Sequence, residues 1–512
     1  MKDRMRERAV LVALCLTCLA APAQAQYTGI YTFNLPYDGC CPNLANLLAQ
    51  GRDGNLYSTM PTGVASAYYG TWFEYPLGGL PAIHPLAAGP YVPASGLTLG
   101  IDGNLYGATQ HGGLGNGAYG VLFKISGGGL IPVYYFTGGA NGTYPYAPPI
   151  QGPDGNLYGV TYDGSTAGVV YKVLTASGTL AWVRALPSGT KAPLIIASDG
   201  NFYGTYPHGG MTLNGVAPSN NNGGGIFQVT PTGVVTGVYN INPLDTSITI
   251  NGGQGDGQQP WGPVMQGKDG NLYGAASGGG SANGGVVYKV GLNGSGFKVL
   301  HNFQAADGTA PEGGLLQGSD GFLYGMCSDT GTAQGQQVAK GTLFKVDPGG
   351  GNFVRLFQFY RASGVSGVGP GSAPLATPTL HTNGLIYGMT STGGTGNGSS
   401  KYGAYDDGGE LFRYNAGLSP FISIVGRRSG NVNDRVGIIG QGFLSATGVT
   451  FGGISALWAP GTVSIASDTY MTVTIPTGAR TGPVTVLMGA GSLSTLYNFT
   501  ISCSGMCAHP LD

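Results

Sequence analysis

The phrase Asp-Gly-Asn-Leu-Tyr-Gly recurs through most of this chain and constrains its fold more than any other feature. Near-copies begin at Asp53, Asp102, Asp154, Asp199, Asp269 and Asp320, and a seventh, Asn-Gly-Leu-Ile-Tyr-Gly, begins at Asn383. Their starts lie 45–70 residues apart. A period of that size is the mark of a repeat architecture, in which one supersecondary unit is stacked many times.

Each copy reads as four short strands. In the fourth, the apolar run from Pro193 to Ser198 is strand a, and Asp199-Gly200 is a two-residue hairpin turn that demands positive φ. Asn201 to Thr205 is strand b. After a Gly-rich loop, Gly225-Ile226-Phe227-Gln228-Val229 is strand c, and Val234 to Ile241 is strand d. Strand c returns as Gly120-Val121-Leu122-Phe123-Lys124 and Gly168-Val169-Val170-Tyr171-Lys172, and strand d as Ile131 to Phe136 and Phe353 to Phe359. Four-stranded units that are apolar on both faces describe propeller blades, each buried between two neighbours. A linear β-solenoid is the rival, with shorter units and polar end caps.

The ends of the repeat region favour the propeller. The seventh copy stops at strand c, Glu410 to Tyr414, while Gly29 to Asn34 ahead of the first copy reads as an orphan strand d. The expectation is that this segment supplies the outer strand of the last blade and closes the ring, which removes an unsatisfied edge. The reading is therefore all-β: a seven-bladed β-propeller over 26–417, followed by an immunoglobulin-like β-sandwich over 418–502 and a Cys-containing tail over 503–512.

The first 25 residues read as a signal peptide. Lys2, Arg4, Arg6 and Arg8 precede an apolar run from Ala9 to Ala20, and Ala23-Gln24-Ala25 is an A-x-A cleavage site. That run is too short to span a bilayer, so no transmembrane segment is expected after cleavage. The expected location is extracellular or at the cell surface, with the periplasm as an alternative. A net charge of −1 and the lack of basic blocks argue against a nucleic-acid partner.

The pattern Asp-Gly-Asn-Leu-Tyr-Gly, then Gly-Gly, then Gly-x-Leu-Phe-Lys-Val, resembles the GloVer tandem repeat of exported bacterial proteins, the "choice-of-anchor" group. The resemblance covers Tyr27 to Ala416 and implies an exported repeat protein without an established activity. The remainder resembles an IPT/TIG domain. It does so through Pro420-Phe421-Ile422, Val436 to Phe443, Ala446 to Gly453, Val473 to Ala479, Thr481 to Val486 and Phe499. Alternating short strands between Gly and Pro turns agree with a sandwich. In exported proteins such domains resemble spacers or interaction modules.

Chemistry is harder to find. The turn positions Asp53, Asp102, Asp154, Asp199, Asp269, Asp320 and Asn383 read as hairpin chemistry. They lack the D-x-[DN]-x-[DN]-G pattern of a calcium loop. Most copies end strand c on a cation: Lys124, Lys172, Lys289, Lys345 and Arg413, with Gln228 in the fourth. Strand c returns to the Asp-Gly end, so these side chains are expected near turn aspartates. The first copy has Glu74 instead and Arg52 before Asp53, which looks like a charge swap. The histidines, His84, His111, His208, His301, His381 and His509, lack metal spacing and read as polar loop residues. No cofactor or metal is expected.

Five cysteines follow the cleavage site. Cys503 and Cys507 could close a small loop, while a bridge between the neighbours Cys40 and Cys41 would be strained, and Cys327 is left over. Glu74, Glu312 and Glu410, with loop aspartates Asp163, Asp256, Asp307, Asp329, Asp406 and Asp407, leave room for a catalytic carboxylate pair.

In an antiparallel blade the b–c and d–a loops share the face opposite the Asp-Gly turns. The long insertions lie there, and variable loops on a rigid scaffold are where binding concentrates. The candidate binding face centres on Thr109, His111, Thr161, Asp163, Tyr206, His208, Asp329 and Thr390. Its neutral, aromatic loops suit a glycan or an envelope protein. The expected function is non-enzymatic interaction, with an exported carbohydrate-active hydrolase or lyase as the alternative.

Overall fold

Turn chemistry sets the fold copy by copy. The computed structural model describes residues 26–502 apart from 35–37, 43–46, 62–69, 87–91, 94, 113–118, 165–166, 214, 216, 219–222, 243–248, 251–252, 330–336, 363–369, 394–406, 460 and 490. Among the described residues the repeat region forms seven four-stranded antiparallel sheets. Sheet 1 runs in the order Ala49–Gln50 (strand a), Leu56–Met60 (b), Thr71–Tyr75 (c) and Ala82–Pro85 (d). Sheets 2 to 6 repeat that order around the turns at Asp102, Asp154, Asp199, Asp269 and Asp320.

Sheet 7 takes strands Thr379–Leu380, Ile386–Met389 and Asp407–Tyr414 from the last copy and its fourth strand, Tyr27–Asn34, from the start of the repeat region. This strand runs antiparallel to strand c, with Tyr27 opposite Tyr414 and Thr28 opposite Arg413. The orphan segment thus finds its partner where the sequence pattern places it.

The cores lie between sheets. Tyr57 and Trp72 of sheet 1 pack on Leu105 and Phe123 of sheet 2. Equivalent clusters join sheets 2 and 3, 3 and 4, 4 and 5, 5 and 6, and 6 and 7. A last cluster packs Phe33, Tyr387 and Met389 of sheet 7 on Leu56 and Phe73 of sheet 1. Each sheet is therefore buried on both faces in a closed, propeller-like circuit, which explains why strand b is buried at every position in sheets 1 to 7.

Every position of the repeated phrase has a structural task. The turn aspartate accepts the backbone N–H two residues on, at 3.0–3.2 Å in the six Asp copies. The following glycine sits at φ between +78° and +91°, where a side chain is strained. The tyrosine hydroxyl reaches back to the same carboxylate at 2.5–2.8 Å in all six. The closing glycine is a seat for the strand-c aromatic: a Cβ on Gly107, Gly325 or Gly388 would stand 2.5 Å from Cζ of Phe123, Phe344 or Phe412.

Neighbouring sheets are also latched by polar side chains. Gln50 donates to Thr382 Oγ1 (2.8 Å) and accepts its N–H (3.1 Å) across the seam between sheets 1 and 7. Gln266 likewise accepts Ser198 N–H (2.8 Å) and donates to its Oγ (2.9 Å), while Gln317 accepts Lys268 N–H (2.9 Å) and donates to Gly321 O of its own sheet.

The strand-c charges follow expectation in part. Lys172 pairs with Asp154 at 2.8 Å, and Lys345 with Asp320 at 3.7 Å. Gln228 donates to Asp199 at 3.2 Å. The charge swap in the first copy does not form. Glu74 accepts from Asn55 Nδ2 (2.7 Å), while Arg52 turns away, donates to Ile101 O (2.7 Å) and lies over the Tyr470 ring at 4.2 Å. The aromatic face and the carbonyl of the next sheet compete successfully for the guanidinium.

Cys40 and Cys41 are bonded to each other, against the sequence expectation, and Cys327 is a buried free thiol. The vicinal bond is accommodated because Cys41 adopts φ +65°, a backbone this fold uses repeatedly. The Cys503–Cys507 pair and the leader lie outside the described residues. His381 lies in the connection after Thr379–Leu380 as expected but is fully buried. Its Nε2 donates to Gly54 O (2.8 Å) across the seam, and Nδ1 accepts Asn383 N–H (3.1 Å). His301 is likewise held in strand d of sheet 5, 3.1 Å from Asp307. His84, in strand d of sheet 1, stacks on Trp72 at 3.8 Å.

The C-terminal region forms two more four-stranded sheets around one core. The first holds Ser423–Ile424, Arg435–Ile439, Tyr470–Thr474 and Val463–Ile465; the second holds Ile454–Ser455, Ala446–Phe451, Val484–Met488 and Gly491–Ser494. Ile438, Met471 and Val473 of the first meet Val449, Phe451 and Val486 of the second. This unit docks on the Asp-Gly face of the circuit. Thr469 donates to Arg52 O (2.7 Å), Gln441 to Thr382 Oγ1 (3.1 Å), and the Ser419 N–H to Ser319 Oγ (2.8 Å). The contacted residues Arg52, Ser319 and Thr382 all stand immediately before a repeat turn. Among the described residues no helix is long and apolar enough to cross a membrane.

Candidate functional site

The C-terminal sheets contact the turn face, and the opposite end of the circuit carries the b–c and d–a loops. A second repeated element builds it: a Gly-x-x-Pro turn leading into strand a. It appears as Gly39-Cys40-Cys41-Pro42, Gly142-Thr143-Tyr144-Pro145, Gly257-Gln258-Gln259-Pro260, Gly308-Thr309-Ala310-Pro311 and Gly371-Ser372-Ala373-Pro374. The residue before proline has positive φ in all five, between +53° and +65°. That conformation is costly for a non-glycine residue, so the surroundings must hold it. They do so in four turns through an antiparallel bridge to the segment after strand b: Thr143 with Asp163, Gln258 with Gly278, Thr309 with Asp329, and Ser372 with Thr392. The proline then lies against the glycine that opens strand c of the preceding sheet. A Cβ on Gly120 or Gly285 would stand 2.5–2.6 Å from Cδ of Pro145 or Pro311.

This geometry delivers the residue after proline to the mouth of the circuit. Tyr146 and Trp261 both converge on Lys191, which belongs to the corresponding loop of sheet 4. The Lys191 ammonium lies 4.9 Å from the Tyr146 ring, 5.4 Å from Tyr162 and 5.7 Å from Trp261. Tyr146 and Tyr162 meet edge-on at 5.4 Å, and Gln110 donates to the Tyr146 hydroxyl. Glu312 is the post-proline residue of sheet 6. Burial pushes its carboxyl pKa up, opposed by the charge of Lys191 and a hydrogen bond with Ser328, while Asp329 adds to the rise. Asp329 is itself held by Lys340 at 3.6 Å.

Of the eight residues expected at this face, four are buried and tied internally. Thr109 and Thr390 accept the N–H groups of Val121 (3.1 Å) and Glu410 (3.0 Å). Thr161 donates to Asp163 O (2.8 Å), and Tyr206 donates to Asn240 Oδ1 (2.7 Å). These four hold strand ends together and present no group to a ligand. His111 packs edge-on to Tyr144 at 5.1 Å and Asp163 is exposed at the rim. His208, edge-on to Trp261 at 5.5 Å, and Asp329 are the two that join the Lys191 cluster. Sequence reasoning missed Tyr146, Tyr162, Lys191 and Trp261, and assigned Glu312 no place. The signal available for Tyr146, Trp261 and Glu312 was the variable residue after each Gly-x-x-Pro, and none marked Tyr162 or Lys191. Asp406 lies outside the described residues. Asp256 is buried beneath Tyr239, whose hydroxyl donates to it at 2.6 Å, and so is withdrawn from any catalytic pair.

The arrangement offers aromatic faces, the Lys191 ammonium and two carboxyl groups, Glu312 and Asp329, on the loop face. Among the described residues no three His, Cys, Asp or Glu side chains gather as a metal site would require.

The model of the Gloeobacter/Verrucomicrobia repeat matches residues 19–218 and 194–450. No curated protein matches the chain. Solved structures similar to it include a putative TolB from Agrobacterium tumefaciens (15% identity, covering 55% of this chain and 87% of that one, TM-score 0.33). Others are an oligogalacturonate lyase in complex with manganese (11%, 76% and 97%, 0.43) and a fungal alcohol oxidase of the AA5 family in complex with copper (12%, 92% and 100%, 0.44). Likenesses this remote transfer no activity to the chain.

Proposed function

Since the chain belongs to the Gloeobacter/Verrucomicrobia repeat family, we propose that it is an exported binding protein that engages a glycan or envelope component at the loop-face mouth. In this reading the seven sheets are the blades of a β-propeller and the C-terminal sheets an immunoglobulin-like IPT/TIG sandwich. The basic and apolar leader with its A-x-A site supports export. The closed circuit of inter-sheet cores supports the propeller, and the core shared by the two C-terminal sheets supports the sandwich. The observation that carries the binding reading is the convergence of Tyr146, Tyr162 and Trp261 around Lys191. Aromatic faces take the apolar side of a sugar ring, and polar neighbours orient it. A glycan-array screen of protein lacking residues 1–25 tests it. Binding that falls at least tenfold in Trp261→Ala and weakens in Asp329→Ala is expected; no binding to any glycan refutes it.

One observation favours a second reading, an exported carbohydrate-active enzyme. Glu312, whose carboxyl pKa burial pushes up, and Asp329, 3.6 Å from Lys340, stand in mutual electrostatic reach. A protonated acid beside a charged carboxylate is the pairing that glycoside cleavage uses. Release of reducing ends from an oligosaccharide bound at the mouth, lost in Glu312→Gln, would establish it.

A further inference from the structure

Lys191 sets this mouth apart from a neutral sugar platform. The residue is partly buried, and its ammonium is fenced by three rings at 4.9–5.7 Å. Among the described residues nothing accepts a hydrogen bond from it and no carboxylate lies within ion-pair distance. By contrast, Lys172, Lys345 and Lys298 are each engaged, by Asp154, Asp320 and Gly349 O. Glu312 is not within ion-pair distance of Lys191, although the Lys191 charge is the largest influence that opposes the rise in its carboxyl pKa. Cation–π attraction holds the ammonium among the rings, but with three donors and no protein acceptor the arrangement is an incomplete one. It becomes a favourable one when an anionic oxygen arrives to take the donors, since charge-assisted hydrogen bonds are the strong ones. The rings around it fix what carries that anion: a group with a flat, weakly polar face next to its charge. A pyranose with a carboxylate on C5 has that form, because its axial C–H groups can lie on Trp261 while the carboxylate meets Nζ.

Resting on the glycan-binding reading above, we propose that the mouth selects acidic saccharides, with Lys191 taking the uronate carboxylate and Trp261, flanked by Tyr146 and Tyr162, taking the sugar face. Lys191 is then the specificity-determining residue, and Trp261 contributes to acidic and neutral sugars alike. His208, edge-on to Trp261, orients the indole rather than meeting the charge.

The experiment is a calorimetric titration of protein lacking residues 1–25 with two matched probes, a β-1,4-linked glucuronic acid hexamer and the glucose hexamer of the same linkage. Wild type is expected to bind the acidic hexamer at least tenfold more tightly, and to lose part of that preference as salt rises from low to high ionic strength. Lys191→Gln is expected to weaken the acidic hexamer at least tenfold and the neutral one less than twofold. Trp261→Ala is expected to weaken both. Circular dichroism of each variant confirms that the sheets persist. Equal affinity for the two hexamers, or equal losses in Lys191→Gln, overturns the acidic preference while leaving glycan binding in place. No binding of either hexamer overturns both.

Discussion

Two tyrosines in strand c provide a test of the packing account with an unusual sign. At the aromatic position of strand c, five sheets carry Phe73, Phe123, Phe227, Phe344 and Phe412, and two carry Tyr171 and Tyr288. Both tyrosines are fully buried, and among the described residues neither hydroxyl has a hydrogen-bond partner. Each hydroxyl lies over the repeat glycine, Gly159 or Gly274, where the phenylalanines place only a ring edge. A buried hydroxyl without a partner costs about 1–3 kcal/mol. Its removal leaves a void of on the order of 10–15 Å³, worth about 0.3 kcal/mol at ~24 cal/mol per Å³.

Tyr171→Phe and Tyr288→Phe should therefore each stabilise the protein by roughly 1–2 kcal/mol. Sheets 3 and 5 are not neighbours, so the gains should add. Tyr158→Phe is the matched control. It deletes a hydroxyl that donates to Asp154 at 2.8 Å, and should cost about 1 kcal/mol, discounted because Asp154 is partly exposed and keeps Lys172 and Asn156. Urea midpoints at constant slope read all three. If Tyr171→Phe destabilises as Tyr158→Phe does, the hydroxyl is satisfied by a buried water and the reasoning fails.

Three further expectations follow from the seam and the turns. His381 must be neutral to accept Asn383 N–H, and burial holds its pKa below the usual value, opposed by the Gly54 carbonyl and the Asn383 side chain. The unfolded chain therefore takes up the proton first, so stability is full above about pH 6.5 and falls as pH drops towards the native value. Melting temperatures should decline between pH 7 and 5, less steeply in His381→Asn; an unchanged slope would remove His381 from the seam. At lower pH the turns should follow. Burial works against charge on Asp102, Asp154 and Asp269, but hydrogen bonds outweigh it and hold their pKa values down, so their contribution is present above about pH 4 and lost beneath it. Asp154→Asn should flatten that acid limb in an unfolding titration, and no change would count against the latch. Finally, reducing Cys40–Cys41, or replacing both with Ser, should cost under about 1 kcal/mol. The bond closes a minimal loop, and Tyr144, Gln259, Ala310 and Ala373 hold the same backbone without it. A urea midpoint loss equivalent to more than ~2 kcal/mol would show that this turn differs from its sisters.

The scaffold was legible because its information is local. Asp-Gly followed by an alternating run names a hairpin wherever it occurs, and seven of them count the sheets. Even the seam was readable, since Tyr27–Asn34 had strand-d character without a copy of its own. The tyrosine-to-aspartate bond was not anticipated, though its i to i+4 spacing is constant in the phrase. The site was less legible because it is assembled from seven loops, those of Tyr146, Tyr162, Lys191, His208, Trp261, Glu312 and Asp329. Thr109, Thr161 and Thr390 end strand b on the correct face, but a strand end is where backbone N–H groups need caps, and these hydroxyls provide them. Lys191 and Trp261 stand 70 residues apart in sequence, and only the stacking of sheets 4 and 5 brings them together. Arg52 shows the same limit. Its partner Tyr470 lies in the C-terminal sheets, which no pattern within the repeats could indicate.

The whole account depends on the chain closing on its own first strand, so that the sheets form a circuit with one open mouth. Cysteines at Thr28 and Arg413, opposite one another across that seam, test it directly. In a background with Cys503 and Cys507 replaced by Ser, mild oxidation of the native Thr28→Cys/Arg413→Cys protein should join the two segments within one chain. Peptide mapping would identify the link, and a mobility shift abolished by reductant would confirm it. A folded protein in which both thiols stay free, or in which position 28 links elsewhere, would contradict closure.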